Sequence, residues 1–425
     1  MVNEKPVGSV LLDETGTTED LAWEAAFRVF HARFAPYFYR QEARERSARY
    51  LRGLLAPIER KNGWQLAEAV GEADPQGIQR LVRTARWDVD AVRDELLQFV
   101  AATFGEADGV FALDETGFLK KGTQSVGVQR QYSGTAGKVE NCQLGVFLSY
   151  VSSQGHTFLD RRLYLPQGWA EDAVRRQRAG VPEAVAFATK PDLAGAMLQH
   201  AVEQGVPGRW VVGDTVYGQD PAFRARIETD LVGLQYVLAV PMTSPLWQEQ
   251  PVPAASARTG PVWVTRRWSG GTAERVAAAL PATVWHRLTV AGGTNGPRVS
   301  DWAATRVTVG VPPGARDVAH WLLVRRGVAD PTALAYYLSN APADTPLSTL
   351  ARVAAARWPI EQCFEEAKGE TGLDQYEVRQ YVGWYRHVTL SLLAHAFLAD
   401  LRRHLAPLAP PLPAAFPPGG TDAPP

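Results

Sequence analysis

Three carboxylates, widely separated along the chain, stand where they could do phosphoryl-transfer chemistry together. Asp114 closes the apolar run Val110-Phe111-Ala112-Leu113, and Asp214 closes Trp210-Val211-Val212-Gly213. Glu361 lies just inside a helix expected to open at Arg357-Trp358-Pro359-Ile360. Two strand-end aspartates and one helical glutamate could converge on a pair of divalent ions that bridge the attacking and leaving oxygens of a phosphodiester. An oxygen-only donor set of this kind suits Mg²⁺ or Mn²⁺. Each acid also has a plainer use. An aspartate at a strand end commonly forms a turn or caps a helix, and Glu361 alone reads as a solvated helix residue. Only the three in order, at the carboxyl edge of a plausible sheet, make a candidate site.

The elements that must position them follow from periodicity. Helix-spaced apolar residues recur through Leu21–Phe34, Ala43–Leu55, Leu66–Val70, Ile78–Ala85 and Val89–Val100, with breaks at Ala56-Pro57 and Asp74-Pro75. That predicts an all-helical domain over 19–105, behind a flexible start at 1–18. A strand ending at Asp114 opens the next segment. Two long strands follow, about 143–151 and 156–164, joined by the hairpin-forming Ser152-Ser153-Gln154-Gly155. Helices near 191–204 and 221–229 alternate with strands ending at Asp214 and at Val240, which predicts an α/β domain with a mixed sheet. Between Pro241 and Asn340 short runs rich in Val, Thr and Trp predict a β-rich insertion subdomain. Helices at 346–356 and 358–370 return to the sheet. The fold class is therefore mixed α/β, with segments at 106–240 and 341–405 flanking the insertion at 241–340. From 406 to 425, Ala, Pro and Gly dominate, which predicts a disordered tail.

The helix carrying Glu361 is amphipathic. Ile360, Phe364 and Ala367 form one stripe, and Glu361, Glu365 and Lys368 form the next. Pro359 suits its first turn, where a missing N–H costs nothing. Glu115 is set aside because strand alternation turns it away from Asp114, and Asp220-Pro221 reads as a helix cap. His387 and His395 lack an accompanying acid pattern and are not read as metal ligands.

A net charge of −1 over 425 residues argues mildly against nucleic acid as a partner, but the charge is uneven. Residues 33–61 carry eight Lys or Arg against three acids. This basic, aromatic stretch is a candidate for DNA recognition, or a solvated helix face with a buried aromatic side. Lys120, Lys121, Arg130 and Lys138 lie on or beside a Gly/Ser/Thr-rich loop that could track phosphates, although a solvated loop explains them equally well. Its Gly134-Thr135-Ala136-Gly137-Lys138 run lacks the spacing of a phosphate-binding loop. Two cysteines exclude a disulfide framework or a cysteine-rich zinc site. The start lacks the pattern of a signal peptide, and the apolar stretch 390–398 is far short of a membrane span, so a cytoplasmic protein is expected.

Arg357-x3-Glu361-x6-Lys368 resembles the Tyr-x2-Arg-x3-Glu-x6-Lys motif of one large group of DDE insertion-sequence transposases. Arg357-Trp358-Pro359-Ile360-Glu361-Gln362-Cys363-Phe364 is similar to their Arg-Trp-x-Ile-Glu-x-x-Phe block. Gly213-Asp214-Thr215-Val216-Tyr217-Gly218 resembles the segment of their second aspartate, and Ala112-Leu113-Asp114-Glu115-Thr116-Gly117 that of the first. The likeness covers about 109–400 and includes the long β insertion. One position departs: the motif's tyrosine falls on Ala354, with Tyr336 and Tyr337 as conceivable substitutes.

The resemblance implies an RNase H-like catalytic domain interrupted by the insertion. It makes Asp114, Asp214 and Glu361 the ligands of two Mg²⁺ (or Mn²⁺) ions, and gives Arg357 and Lys368 contacts to transposon-end DNA near the cut. It implies hydrolysis at the element ends and attack of the freed 3′-OH on target double-stranded DNA, by a homodimer assembled on DNA. Some relatives hold a flipped base against an aromatic of the insertion, so Trp247, Trp263, Trp268, Trp285, Trp302 and Trp321 are candidates by location, with packing of small β cores as their ordinary use. Two further readings stand beside this one: a metal nuclease that cuts without strand transfer, and a domesticated, catalytically silent DNA-binding protein.

Overall fold

The computed structural model describes residues 18–134, 137–250, 267–293, 296–309 and 319–405. The expected disordered tail, residues 1–17 of the expected flexible start, and Trp263 lie outside these residues.

Local capping chemistry sets the N-terminal helices. These are α1 (Thr18–Phe34), α2 (Gln41–Leu55), α3 (Gly63–Ala69), α4 (Gln76–Arg83) and α5 (Val89–Phe104). The Asn62 side chain accepts from the backbone N–H groups of Trp64 and Gln65, and Asp88 does the same for Asp90 and Ala91. Asp74 accepts from Gln76 at 2.8 Å. Such caps satisfy amide donors that the first helical turn leaves unpaired. The helices close on Phe27, Phe30, Phe34, Leu51, Leu54 and Leu96, all buried.

That core is shared with the C-terminal part of the chain. Phe397, on the final helix α14 (Tyr381–Leu405), packs its ring 5.2 Å from Phe30 and 5.5 Å from Phe27. The hydroxyl of Tyr50 lies 2.8 Å from His387 Nδ1, and His387 Nε2 faces the Gly372 carbonyl at 3.0 Å. His387 thus ties α2 to α14 and to the turn at Gly372.

The central sheet contains β1 (Val110–Leu119), β2 (Gln129–Ser133), β3 (Lys138–Ser152), β4 (Gly155–Tyr164), β5 (Trp210–Gly213) and β6 (Gln235–Val240). β3 runs antiparallel to β1 and β4 antiparallel to β3, while β5 and β6 run parallel to β1. The resulting order, β4-β3-β1-β5-β6, is that of an RNase H-like core. β2 pairs with the start of β3. Parallel strands need crossovers, here supplied by α8 (Lys190–Glu203) before β5 and by α9 (Thr215–Gly218) with α10 (Pro221–Thr229) before β6. The short helices α6 (Gln167–Ala170) and α7 (Ala173–Ala179) lie between β4 and α8.

β1 departs from expectation. It does not end at Asp114 but continues to Leu119, because residues 115–119 keep pairing with β3. Asp114 is therefore mid-strand, opposite Phe147.

The described part of the insertion comprises β7 (Pro245–Gln250), β8 (Arg267–Thr272), α11 (Ala273–Ala278), β9 (His286–Gly293), β10 (Gly296–Val309), β11 (His320–Gly327) and β12 (Leu334–Ser339). β12 pairs antiparallel with β6, Tyr336 opposite Val240, so the insertion's strands prolong the catalytic sheet. The chain then forms α12 (Leu347–Ala355) and α13 (Trp358–Thr371). No helix among the described residues is long and apolar enough to cross a membrane.

Candidate active site

Register brings the two aspartates together. Leu113 pairs with Gly213 across parallel β1 and β5. The next residues, Asp114 within β1 and Asp214 just past the end of β5, therefore lie side by side, neighbouring strands being roughly 5 Å apart. Asp214 also caps α9, its Oδ1 accepting from Val216 N at 2.9 Å. The ordinary use of a strand-end aspartate and the chemical one coincide here, since the cap fixes the side chain that presents the second oxygen.

Glu361 reaches them on α13. Ile360, Phe364 and Ala367 bury the expected stripe, and Pro359 occupies the first turn. The Arg357 guanidinium joins the acids: Nη1 donates to Asp114 Oδ2 at 3.0 Å, and Nη2 donates to Glu361 Oε1. Farther along α13, Lys368 Nζ donates to Thr116 Oγ1 at 2.7 Å, two residues beyond Asp114 on β1. Helix α13 is thus pinned along β1 by two basic side chains of the motif.

The cluster holds more negative charge than its burial favours. Burial pushes Asp114 up to about 7; Asp214 adds to the rise, and Arg357 opposes it. Asp214 is raised as well, by burial and then by Glu115. Among the described residues no three acids stand together as a ready ligand set, and Arg357 lies between Asp114 and Glu361. The donor set is all carboxylate oxygen with one guanidinium among the acids, the donor chemistry that a hard divalent cation takes.

A stability effect with a definite sign follows. Folded Asp114 holds its proton up to about pH 7, far above the ordinary value of 3.8. The folded state therefore binds more protons across this window, and stability falls as pH rises through it. Asp114→Asn is expected to stabilise the protein in chelator at pH 8 by roughly 1–3 kcal/mol. Urea melts from pH 4 to 8 check this: the gap should open between pH 4 and 7, and a pH-independent gap refutes it.

Two neighbours escaped the sequence reading. Glu115 Oε1 pairs with Lys190 Nζ, and its Oε2 accepts from the Tyr217 hydroxyl at 3.1 Å. Alternation does turn Glu115 from Asp114, yet its charge acts on both aspartates. Lys190, at the start of α8, carried no signal, since its partner lies 75 residues away. The motif's tyrosine position, Ala354, is buried, and Tyr336 and Tyr337 are buried on β12, with Tyr337 6.1 Å from the Trp302 ring. The phenol that does reach the cluster is Tyr217, whose ionisation Glu115, Asp114 and Asp214 all oppose. Tyr217 rides on α9, which packs closely on β6. A Cβ on Gly218 would lie 1.9 Å from the Ala239 carbonyl oxygen. Gly218→Ala is expected to cost roughly 2–4 kcal/mol in urea unfolding; unchanged stability would mean that α9 can slide off β6 freely.

The remaining candidates separate. Lys120 Nζ sits 3.6 Å from the Tyr376 ring centre and donates to the Tyr376 carbonyl, and burial pushes it down to about 8. It packs β1 against the segment after α13. Lys121 and Arg130 are exposed, and Lys138 pairs with Glu140 at 3.0 Å. Asp220 caps α10. His395 lies 2.9 Å from Thr157 Oγ1 and 3.2 Å from Glu366. Of the tryptophans, Trp302 is 1% exposed and belongs to the core, which closes it to a base. Trp285 and Trp321 lie under Arg326 and Arg306, and the Trp247 ring abuts Gly270.

An RNase H-like sheet with two aspartates on neighbouring central strands and a helical glutamate opposite them defines a class of metal-dependent nucleases. Residues 33–297 match the family model of the DDE superfamily endonucleases. The chain belongs to that family. The match includes Asp114 and Asp214; Glu361 lies beyond it. A 189-residue stretch is 28% identical to the probable transposase for insertion sequence element IS701 of Microchaete diplosiphon, covering 44% of this chain and 46% of that protein. The chain thus matches about half the length of this curated relative.

Proposed function

We propose that this protein is the transposase of an insertion sequence: it binds the terminal inverted repeats, cuts the ends and joins the freed 3′-OH to target double-stranded DNA. The observation that carries this reading is that Asp114 and Asp214 directly follow the Leu113–Gly213 pair of β1 and β5, with Glu361 joined to Asp114 through Arg357. Membership of an endonuclease family and similarity to an insertion-sequence transposase support it.

Asp114, Asp214 and Glu361 would hold two Mg²⁺ or Mn²⁺ ions, which supply activation of the attacking water or 3′-OH and stabilisation of the leaving oxygen. The chain's own residues do the rest. Asp214, fixed by its cap on α9, presents one carboxylate oxygen in a set orientation. Arg357 is positioned to exchange its carboxylate partners for a phosphate of the end DNA, a pairing its planar fork suits. Lys368 and Lys190 add positive charge on either side of the acids, where a bound strand must lie. The RNase H-like parts at 106–240 and 341–405 act as one catalytic unit, with 19–105 reading the ends. Joining two ends requires a homodimer on DNA, working in the cytoplasm.

The test is strand cleavage and joining on a labelled duplex carrying the flanking inverted repeat, with Mg²⁺ or with chelator. Metal-dependent joined product is expected. Cleaved ends without joined product would mean a nuclease lacking strand transfer, and binding without cleavage would mean a silent DNA-binding protein.

A further inference from the structure

Away from the acids, the helical domain carries an open cleft between the start of α2 and the end of α4. Arg40, Arg46, Arg80 and Arg86 line it, with Glu42 as the one acid. Glu42 holds Arg46 and, at 3.7 Å, Arg80. Arg40 and Arg86 are exposed and form no ion pair among the described residues. From behind, Arg386 of α14 reaches the cleft wall, its Nη2 donating to the Ala85 carbonyl at 2.6 Å. Arg386 is only 8% exposed, yet its Nε and Nη1 have no hydrogen-bond partner. Buried donors without partners are costly and rare in native folds. Four guanidiniums therefore line the cleft with one carboxylate, and a fifth, Arg386, stands behind its wall over the Trp87 ring.

We propose that this cleft seats consecutive phosphates of one strand of a DNA duplex, as an anchoring site separate from the catalytic acids. Guanidinium forks match phosphate oxygens in pairs. Arg40 is the N-cap residue of α2 and Arg46 lies in its second turn. The cleft's elements come from both ends of the chain, α2 and α4 from the helical domain and Arg386 from the catalytic half. Duplex held there is thus registered to the sheet that carries Asp114. The proposal rests on the reading of the protein as a DNA-processing enzyme.

The experiment is fluorescence anisotropy of a labelled duplex bearing the inverted repeat, titrated with the full chain in chelator across a range of salt concentrations. The double variant Arg40→Ala/Arg86→Ala removes no ion pair of the fold. It is expected to bind roughly 10- to 100-fold more weakly near 0.1 M salt, with a slope of log K against log[salt] shallower by about 2. Glu42→Gln, which releases Arg46 and Arg80, is expected to bind more tightly than wild type. Equal affinity and slope in wild type and double variant would overturn the cleft proposal and leave the transposase reading standing. So would saturation of the cleft by millimolar inorganic phosphate with DNA affinity untouched in the double variant, which marks a free-anion site. A wild type without duplex affinity would overturn both.

Discussion

Asp114→Ala, Asp214→Ala and Glu361→Ala are each expected to lower metal-dependent cleavage by about a thousandfold or more, with duplex affinity in chelator retained. The magnitude follows from the work the carboxylates do together. Bound cations supply several kcal/mol of charge stabilisation at the attacking and leaving oxygens, and each tenfold in rate is about 1.4 kcal/mol. Because the acids act as one unit, double variants should be scarcely slower than single ones. Single-turnover cleavage on the inverted-repeat duplex measures this directly. Near-normal cleavage in Glu361→Ala would remove α13 from the catalytic set and leave the two aspartates seeking a third ligand. Glu115→Gln serves as a contrast: its carboxylate holds Lys190 and Tyr217, so its loss should slow the reaction much less than loss of Asp214.

Arg357→Ala is expected to lower stability in chelator and, at the same time, to enlarge the stabilisation gained on adding Mg²⁺. Arg357 is the cation that Asp114 and Glu361 share, and Asp114 is mostly buried. Above pH 7, where Asp114 has given up its proton, removing Arg357 leaves like charges facing one another, at a cost of about 1–3 kcal/mol. An ion bound to the same oxygens no longer has to displace a guanidinium, so the affinity for Mg²⁺ rises and linkage carries it into the melting temperature. Activity should nonetheless fall by roughly a hundredfold, since the variant lacks the fork that meets the DNA phosphate. Thermal melts with and without Mg²⁺, for wild type, Arg357→Ala and Arg357→Lys, give the answer. An identical Mg²⁺ shift in all three would show that Arg357 and the ion do not compete.

Most of the catalytic sheet was legible because its signals are local. The apolar runs before Asp114 and Asp214, the hairpin at Ser152–Gly155 and the Pro359 helix start are each written within a few residues. The extension of β1 beyond Asp114 was not, because polar residues at 114–116 resemble a strand end until β3 is known to lie beside them. The pairing of β12 on β6 was likewise hidden, since it joins residues nearly a hundred apart in sequence through backbone groups that carry no residue code. At the site, the three acids were visible as residue types in sequence order. Their electrostatic setting was not: Lys190 and Tyr217 meet Glu115 only because α8 and α9 flank the sheet there. The helical domain's basic stretch was visible, but its partition into a cleft was not, because Arg80 and Arg386 come from other helices and Arg86 from the connection between α4 and α5.

The antiparallel pairing of β6 with β12 has a bearing on how this architecture can be altered. The chain leaves the core at Val240 and re-enters opposite it at Tyr336. For the three acids, everything between is topologically one hairpin loop of adjustable length. Loop length adds only slowly to the cost of closing such a hairpin. The insertion could therefore be shortened, lengthened or exchanged for another module while the two clamped strands hold the path to α13 constant. A replacement module would also have to supply the contacts made beside this seam, His320 on Glu228 of α10 and Arg298 over Trp358 of α13.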